Sequence, residues 1–426
     1  MSLGRYRRLA AASVVLGVVG VAAAAPAYAA GPGADASGDV KAPVAIAAAG
    51  ECTFPSQDVA SAPWALQRVL LDELWQGGRG AGVTVAVIDT GVDNQNQQLK
   101  DKVLDGGSYL VDRQTNQPVE GNGLTDKVGH GTKVAGIIAA KPLPGRTGFV
   151  GIAPDATILS IRQNDSDGNG NVETLIKAID TAVARGAKVI NISQDVRATG
   201  EEGDFPMKSQ LRDALKRAET AKVVVIASSG NDGKEGPTYP AAFDTVLAVG
   251  ASDRNNERAP FSQYGDFVGV VAPGVDMLST VPAGGQCVDN GTSFSAPYVS
   301  GLAAILVGMH TDWTPAQVRA RIEQTAQRNE RDRNKFIGWG VVDPVKAVQG
   351  GKDQDPAPHP DAKVRLDTVP IVAQPLGLAE TQADRDQRTG TFVLAAGALI
   401  VAALAGGSVV IRDYRRRQAG QAGQEF

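Results

Sequence analysis

Short, nearly continuous apolar runs recur along the middle of the chain: Val83–Asp89 (VTVAVID), Ile158–Ile161, Val189–Ile192, Val223–Ala227 and Val246–Val249. A strand with one wet face alternates apolar and polar residues, so an unbroken run predicts a parallel strand buried on both faces. Between several of these runs lie stretches of helical period, notably Val172–Arg185 and Lys208–Ala221. The alternation predicts an α/β domain with a mainly parallel central sheet flanked by helices. In such folds chemistry gathers at the carboxyl ends of the strands, where Asp89 falls. Ser293 opens a long apolar helix, FSAPYVSGLAAILVGM, in which Pro297 is expected to fall within the first turn. A further helix is expected at Thr314-Pro315, a cap followed by a first-position proline.

Three short motifs carry the chemistry: VIDTGVD with Asp89, GHGTKVAG with His130 and NGTSFSAP with Ser293. A serine hydroxyl is a poor nucleophile at neutral pH and needs a base within hydrogen-bond reach. An imidazole takes that proton and returns it to the leaving amine. A carboxylate holds the imidazole in one tautomer and stabilises its cation. The chain has three histidines. His310 follows the long apolar helix and His359 sits in a Pro/Asp-rich stretch, which leaves His130, between glycines before an apolar run, as the base. Singly, the Asp reads equally well as a turn residue and the Ser as a helix cap. Jointly, in the order Asp…His…Ser, they mark a serine protease triad.

Over about Ala62–Val348 these motifs resemble the subtilases. The resemblance implies that Asp89 orients, His130 is the general base and Ser293 is the nucleophile. The segment VVVIASSGND resembles the oxyanion-hole segment of that family, which implies Asn231 as a donor to the developing oxyanion. Without the triad, Asn231 in a Gly-Asn-Asp-Gly stretch would read as an ordinary turn residue. The backbone N–H of Ser293, at a helix N-terminus, would be the second donor. The same resemblance implies that Ser193, Ser229 and Gly230 line the substrate cleft. After INIS, however, the chain reads QDVRATGEEGD and lacks the glycine-rich substrate strand of degradative subtilisins. Asp195, Glu201, Glu202 and Asp204 there form either a solvated loop or an acidic cleft rim. Lys133, close behind His130, is expected to point elsewhere and has no role in this reading.

Both ends carry membrane signals. Arg5, Arg7 and Arg8 precede an apolar stretch from Leu9 to Ala25, and Ala27-Tyr28-Ala29 fits a cleavage site, so residues 1–29 read as a signal peptide or an uncleaved anchor. Residues 391–411 (TFVLAAGALIVAALAGGSVVI) hold no charge and are long enough to span a bilayer core of about 30 Å. Arg412, Arg415, Arg416 and Arg417 follow, which places the tail, 412–426, in the cytoplasm and the protease domain outside. Residues 30–61 form an extension too short for a bulky folding prodomain, 62–348 the protease domain, and 349–390 an exposed Pro/Asp-rich linker. The two cysteines, Cys52 and Cys287, are either free or bridged, and export favours the bridge. It would tie the extension to the loop before Ser293.

Composition narrows the rest. The net charge of −4 offers no footprint for nucleic acid. No motif calls for a cofactor, and no metal site is placed. Asp165, Asp167, Asn169 and Gly170 match the start of a calcium loop, but Ile176 stands where the bidentate Glu belongs.

The full arrangement resembles the mycosins, membrane-anchored proteases of actinobacterial type VII secretion systems. The match rests on the signal peptide, the Cys-bearing extension, SAPWALQRVLLDELW, GHGTKVAGIIAA, INIS, NGTSFSAPYVSG, GVVDPVKAV, the linker and the single C-terminal span. It implies a secreted or channel-associated protein or peptide substrate and a secretion complex in the membrane as partner. The expected function is a membrane-anchored endopeptidase of restricted specificity. The rivals are a general cell-surface degradative subtilase and a structural component whose catalysis is dispensable.

Overall fold

The structure, a computed structural model, describes residues 44–45, 52–112, 114–115, 117–165, 170–196, 204–349, 357–362 and 380–421. The expected signal peptide, most of the linker, and Asp167, Asn169, Glu201 and Glu202 lie outside these residues. The chain divides into two units, Met1–Ala362 and Lys363–Phe426.

In the first unit the strands are β1 (Val44–Ala45), β2 (Thr84–Asp89), β3 (Val103–Ser108), β4 (Thr157–Arg162), β5 (Val189–Ile192), β6 (Asp195–Val196), β7 (Val224–Ser228), β8 (Val246–Ser252), β9 (Val270–Pro273), β10 (Met277–Thr280) and β11 (Gln286–Asp289). Its helices are α1 (Trp64–Gln67), α2 (Leu71–Leu74), α3 (His130–Ala139), α4 (Val172–Ala184), α5 (Lys208–Thr220), α6 (Thr292–Met309), α7 (Pro315–Thr325) and α8 (Pro344–Gln349). Seven strands form one parallel sheet in the order β3-β4-β2-β5-β7-β8-β9. All five apolar runs lie in it, and α4, α5, α6 and α7 begin within a residue or two of where the sequence predicts.

The sheet is buried on both faces, which is why its strands read as unbroken apolar runs. Val85 and Val87 face one core with α3 and α6, while Ala86 and Ile88 face the other with α4 and α5. That is the two-residue period of a strand with no wet side. The chain leaves β2, makes β3 and β4 on one side of it, then crosses to β5 on the other. β2 is therefore the switch point of the sheet, where an open α/β fold leaves a crevice at the carboxyl ends.

Two smaller pairings matter for the site. β10 and β11 form an antiparallel hairpin that leads directly into α6. The segment from Cys52 runs along this hairpin: Ser56 donates to Gly284 O at 2.9 Å, and Gln286 donates to Gln57 O at 3.1 Å. Cys52 and Cys287 are disulfide-bonded. The bridge thus joins the extension to the hairpin ahead of Ser293, as export favoured.

The second unit holds α9 (Gln382–Gln421), a helix long and apolar enough to cross a membrane. It contains the expected span 391–411 and extends beyond it at both ends. α6 passes the same test of length and composition but is 83% buried, so it is a core helix.

Candidate active site

Asp89 ends β2, and its carboxylate is buried at the crevice. Oδ1 accepts the Thr90 N–H at 2.8 Å and lies 2.7 Å from His130 Nδ1. His130 is the first residue of α3 and is 1% exposed. Its other ring nitrogen, Nε2, has no hydrogen-bond partner among the described residues. Gly131 makes the contact achievable: a Cβ there would fall 2.0 Å from Gly91 O, so the helix start and the strand end meet backbone to backbone. Burial disfavours the imidazolium, yet the Asp89 charge and hydrogen bond outweigh it and hold His130 above its ordinary pKa. Lys133 pulls the other way, and Asp126 adds to the upward pull.

Asp126 was not anticipated. Its Oδ1 accepts from Thr90 Oγ1 (2.8 Å), Gly129 N–H (2.7 Å) and Val128 N–H (3.1 Å). Its Oδ2 accepts from Thr132 N–H (2.9 Å) and Thr132 Oγ1 (2.5 Å). The carboxylate therefore satisfies orphan donors at the N-terminus of α3, where negative charge is also favoured by the helix dipole. Burial pushes its pKa up against those donors. An acid four residues ahead of a helix-opening histidine is the signal that would have found it.

Ser293 is the second residue of α6. That start corrects the expected place of Pro297, which lies in the second turn rather than the first. Pro297 has no N–H to give to the carbonyl four residues back, which belongs to Ser293. Ser193 Oγ fills the vacancy, donating to Ser293 O at 2.9 Å. In return Ser293 Oγ donates to Ser193 O at 3.1 Å. Ser193 is itself held by Asn191 Nδ2 at 2.8 Å, and Asn191 Oδ1 accepts from Ser300 Oγ at 2.9 Å. The Ser193 hydroxyl thus faces the backbone of Ser293. Phe294 lays its ring against the His130 imidazole, with centroids 5.4 Å apart.

Asn231 follows β7. Its Oδ1 accepts from Thr292 N–H at 2.8 Å and Thr292 Oγ1 at 3.0 Å, and its Nδ2 makes no hydrogen bond among the described residues. Gly230 donates to Thr292 Oγ1 at 3.2 Å. Ser229 is buried, with its hydroxyl on Gln263 O at 3.1 Å. Asp89, His130, Ser193, Ser229, Gly230, Asn231 and Ser293 therefore all stand at carboxyl ends of neighbouring strands or on helices entering the same crevice. Among the described residues no group of three or more His, Cys, Asp or Glu side chains is placed to hold a metal. Of the acidic segment, Asp195 is half-buried in β6 and Asp204 is exposed.

The family model for the subtilase family, Peptidase S8, matches residues 80–340. The chain belongs to the subtilase family. Subtilisin from Bacillus pumilus is 37% identical over 294 residues, 68% of this chain and 99% of that protein. Mycosin-1 of Mycolicibacterium smegmatis is 31% identical over 415 residues, 86% of this chain and 88% of that protein. The solved structure of the MycP3 protease from the type VII (ESX-3) secretion system superposes with a TM-score of 0.61 at 32% identity, covering 73% of this chain and 93% of that one. The protein is a subtilisin-like serine endopeptidase related to the mycosins of type VII secretion.

Proposed function

We propose that the protein is a membrane-anchored endopeptidase of restricted specificity that works beside a type VII secretion complex, with Asp89, His130 and Ser293 as its triad. The observation that carries the triad is the buried 2.7 Å Asp89–His130 pair, whose far nitrogen has no partner among the described residues. Nδ1 is committed to the carboxylate, so Nε2 is the nitrogen that takes a proton.

In the reaction Ser293 Oγ leaves the Ser193 carbonyl, gives its proton to His130 Nε2 and attacks the scissile carbonyl carbon. The negative charge moves onto the carbonyl oxygen, where Asn231 Nδ2 and the Ser293 N–H donate to it. Collapse breaks the C–N bond, and the amine leaves with the proton from His130. Water, deprotonated by the same nitrogen, then hydrolyses the acyl-enzyme and restores Ser293. The anchoring rests on α9 and on the mycosin relatives, and the basic residues of the tail 412–426 support a catalytic unit outside the cytoplasm. Residues 1–29 act as the export signal, 30–61 as the extension, 62–348 as the protease and 349–390 as the linker. Peptides from secreted or channel-associated proteins are the substrate class.

The test uses the full chain in detergent with a fluorophosphonate probe and Ser293→Ala as control. Labelling of the wild type alone supports the reading. Equal labelling of both, or of neither, overturns it.

A further inference from the structure

Lys133 is 2% exposed, and its ammonium lies 2.7 Å from Oδ2 of Asp289, itself 4% exposed. The two groups come from different elements, α3 and β11, 156 positions apart. Such a pair is a poor way to gain stability, because desolvating two ions offsets most of their attraction and an apolar pair of similar volume often does as well. Its placement is more informative. Lys133 stands one helical turn beyond His130. Asp289 stands four residues before Ser293, on the strand that feeds α6. Neighbouring contacts join the same elements: Ser279 Oγ donates to Lys133 O at 2.6 Å, and Thr280 Oγ1 donates to Thr132 O at 2.8 Å. Gly136 lets the hairpin come this close, since a Cβ there would sit 2.1 Å from Thr280 Oγ1.

The base and the nucleophile are not hydrogen-bonded to each other here, because Ser293 Oγ is on Ser193 O. Their alignment must therefore come from the backbone elements that carry them. We infer that the Lys133–Asp289 pair is a positioning strut, which locks the helix bearing His130 to the hairpin leading into Ser293 and so sets the approach of the nucleophile to its base. The inference rests on the triad reading above. Both side chains are buried, at 2% and 4% exposure. Displacements on the order of 1 Å at a reacting centre cost roughly 100-fold in rate, so a loosened strut registers in the rate before it registers in binding.

The experiment follows inactivation of the full chain by a fluorophosphonate, separating the limiting rate constant from the half-saturating concentration. Thermal unfolding is measured alongside. The key variant is Lys133→Met with Asp289→Leu, which replaces both ions by apolar groups of similar size. The expected result is an unfolding temperature no lower than that of the wild type, with a limiting rate constant reduced about tenfold or more and an unchanged half-saturating concentration. The single Lys133→Met variant, which removes the counter-ion of a buried carboxylate, is expected to unfold at a lower temperature. A double variant that is inactivated at the wild-type limiting rate overturns the strut and leaves the triad standing. A double variant that loses rate only in proportion to lost fold also overturns it. A wild type that resists the probe as fully as Ser293→Ala sinks the triad reading and the strut with it.

Discussion

Asn231 accepts two hydrogen bonds from Thr292, at 2.8 Å from its N–H and 3.0 Å from its hydroxyl. The residue next to Ser293 thereby pins the amide oxygen and fixes which way the amide nitrogen can donate. Asn231→Ala is expected to lower kcat by about 100- to 1000-fold, close to 3–4 kcal/mol of transition-state stabilisation, a magnitude that itself comes from a subtilisin. KM should change little. Thr292→Val keeps the backbone donor and removes the hydroxyl, so it should show the same loss on a smaller scale. An Asn231→Ala enzyme of unaltered kcat on a peptide substrate would remove Asn231 from the mechanism.

The pH profile follows from the direction of the His130 shift. In the proposed triad His130 works as the neutral imidazole; burial lowers its pKa, but Asp89 outweighs burial and holds it above the ordinary histidine value of 6.5. Activity should therefore rise with pH, with a midpoint above that value. Asp89→Asn removes the charge that lifts it and the acceptor that selects the tautomer. The midpoint should fall, and the plateau should drop by about four orders of magnitude. Rates measured from pH 5 to 9 for both proteins decide the matter.

Glu323 on α7 is expected to govern part of the stability. Burial raises its carboxyl from 4.5 to about 7, against the pull of Arg333 and Arg319. A carboxyl raised in the folded state binds its proton more tightly there than in the unfolded chain. The contribution of this group to stability is thus greatest at and below pH 4.5 and is lost as pH climbs through about 7. The full loss above that pH approaches about 3 kcal/mol at 1.36 kcal/mol per unit. Glu323→Gln should match the wild type in urea unfolding at pH 4.5 and exceed it at pH 8. Equal stabilities at pH 8 would refute the assignment.

The Cys52–Cys287 bridge closes a loop with a sequence separation of 235. In the chain-entropy account a loop of that length restrains the unfolded state by about 5 kcal/mol, which is an upper figure. Replacing both cysteines by serine should lower the denaturant midpoint under oxidising conditions and leave it unchanged by reductant. The wild type should move towards the double variant when reductant is added. Two thiols that alkylate without prior reduction would contradict the bridge.

Where both faces of an element are buried, the linear pattern was enough. Val83–Asp89 and its four companions read as strands because no solvent-facing residues interrupt them, and Thr314-Pro315 read as a helix start because a cap is a local device. Thr314 does cap α7, accepting from Gln317 N–H at 3.3 Å. The edge strands and the hairpin escaped that reading. β3 (VLDGGS) carries two glycines and an acid, while β10 and β11 are four residues each, too short to show a period.

The chemistry divided in the same way. Asp89, His130 and Ser293 could be singled out as candidates because each sits in a local motif, and the order of those motifs along the chain is that of the subtilases. Lys133 looked like a residue of no consequence, and Pro297 like a first-turn proline. Only the folded chain brings Asp289 onto the Lys133 ammonium and Ser193 onto the carbonyl that Pro297 leaves unpaired. Sequence determines which groups exist and which local turns and faces they favour. The partners of a buried charge or an orphaned carbonyl are chosen by packing between elements far apart in the chain, because the low-dielectric interior makes those groups costly unless something distant meets them.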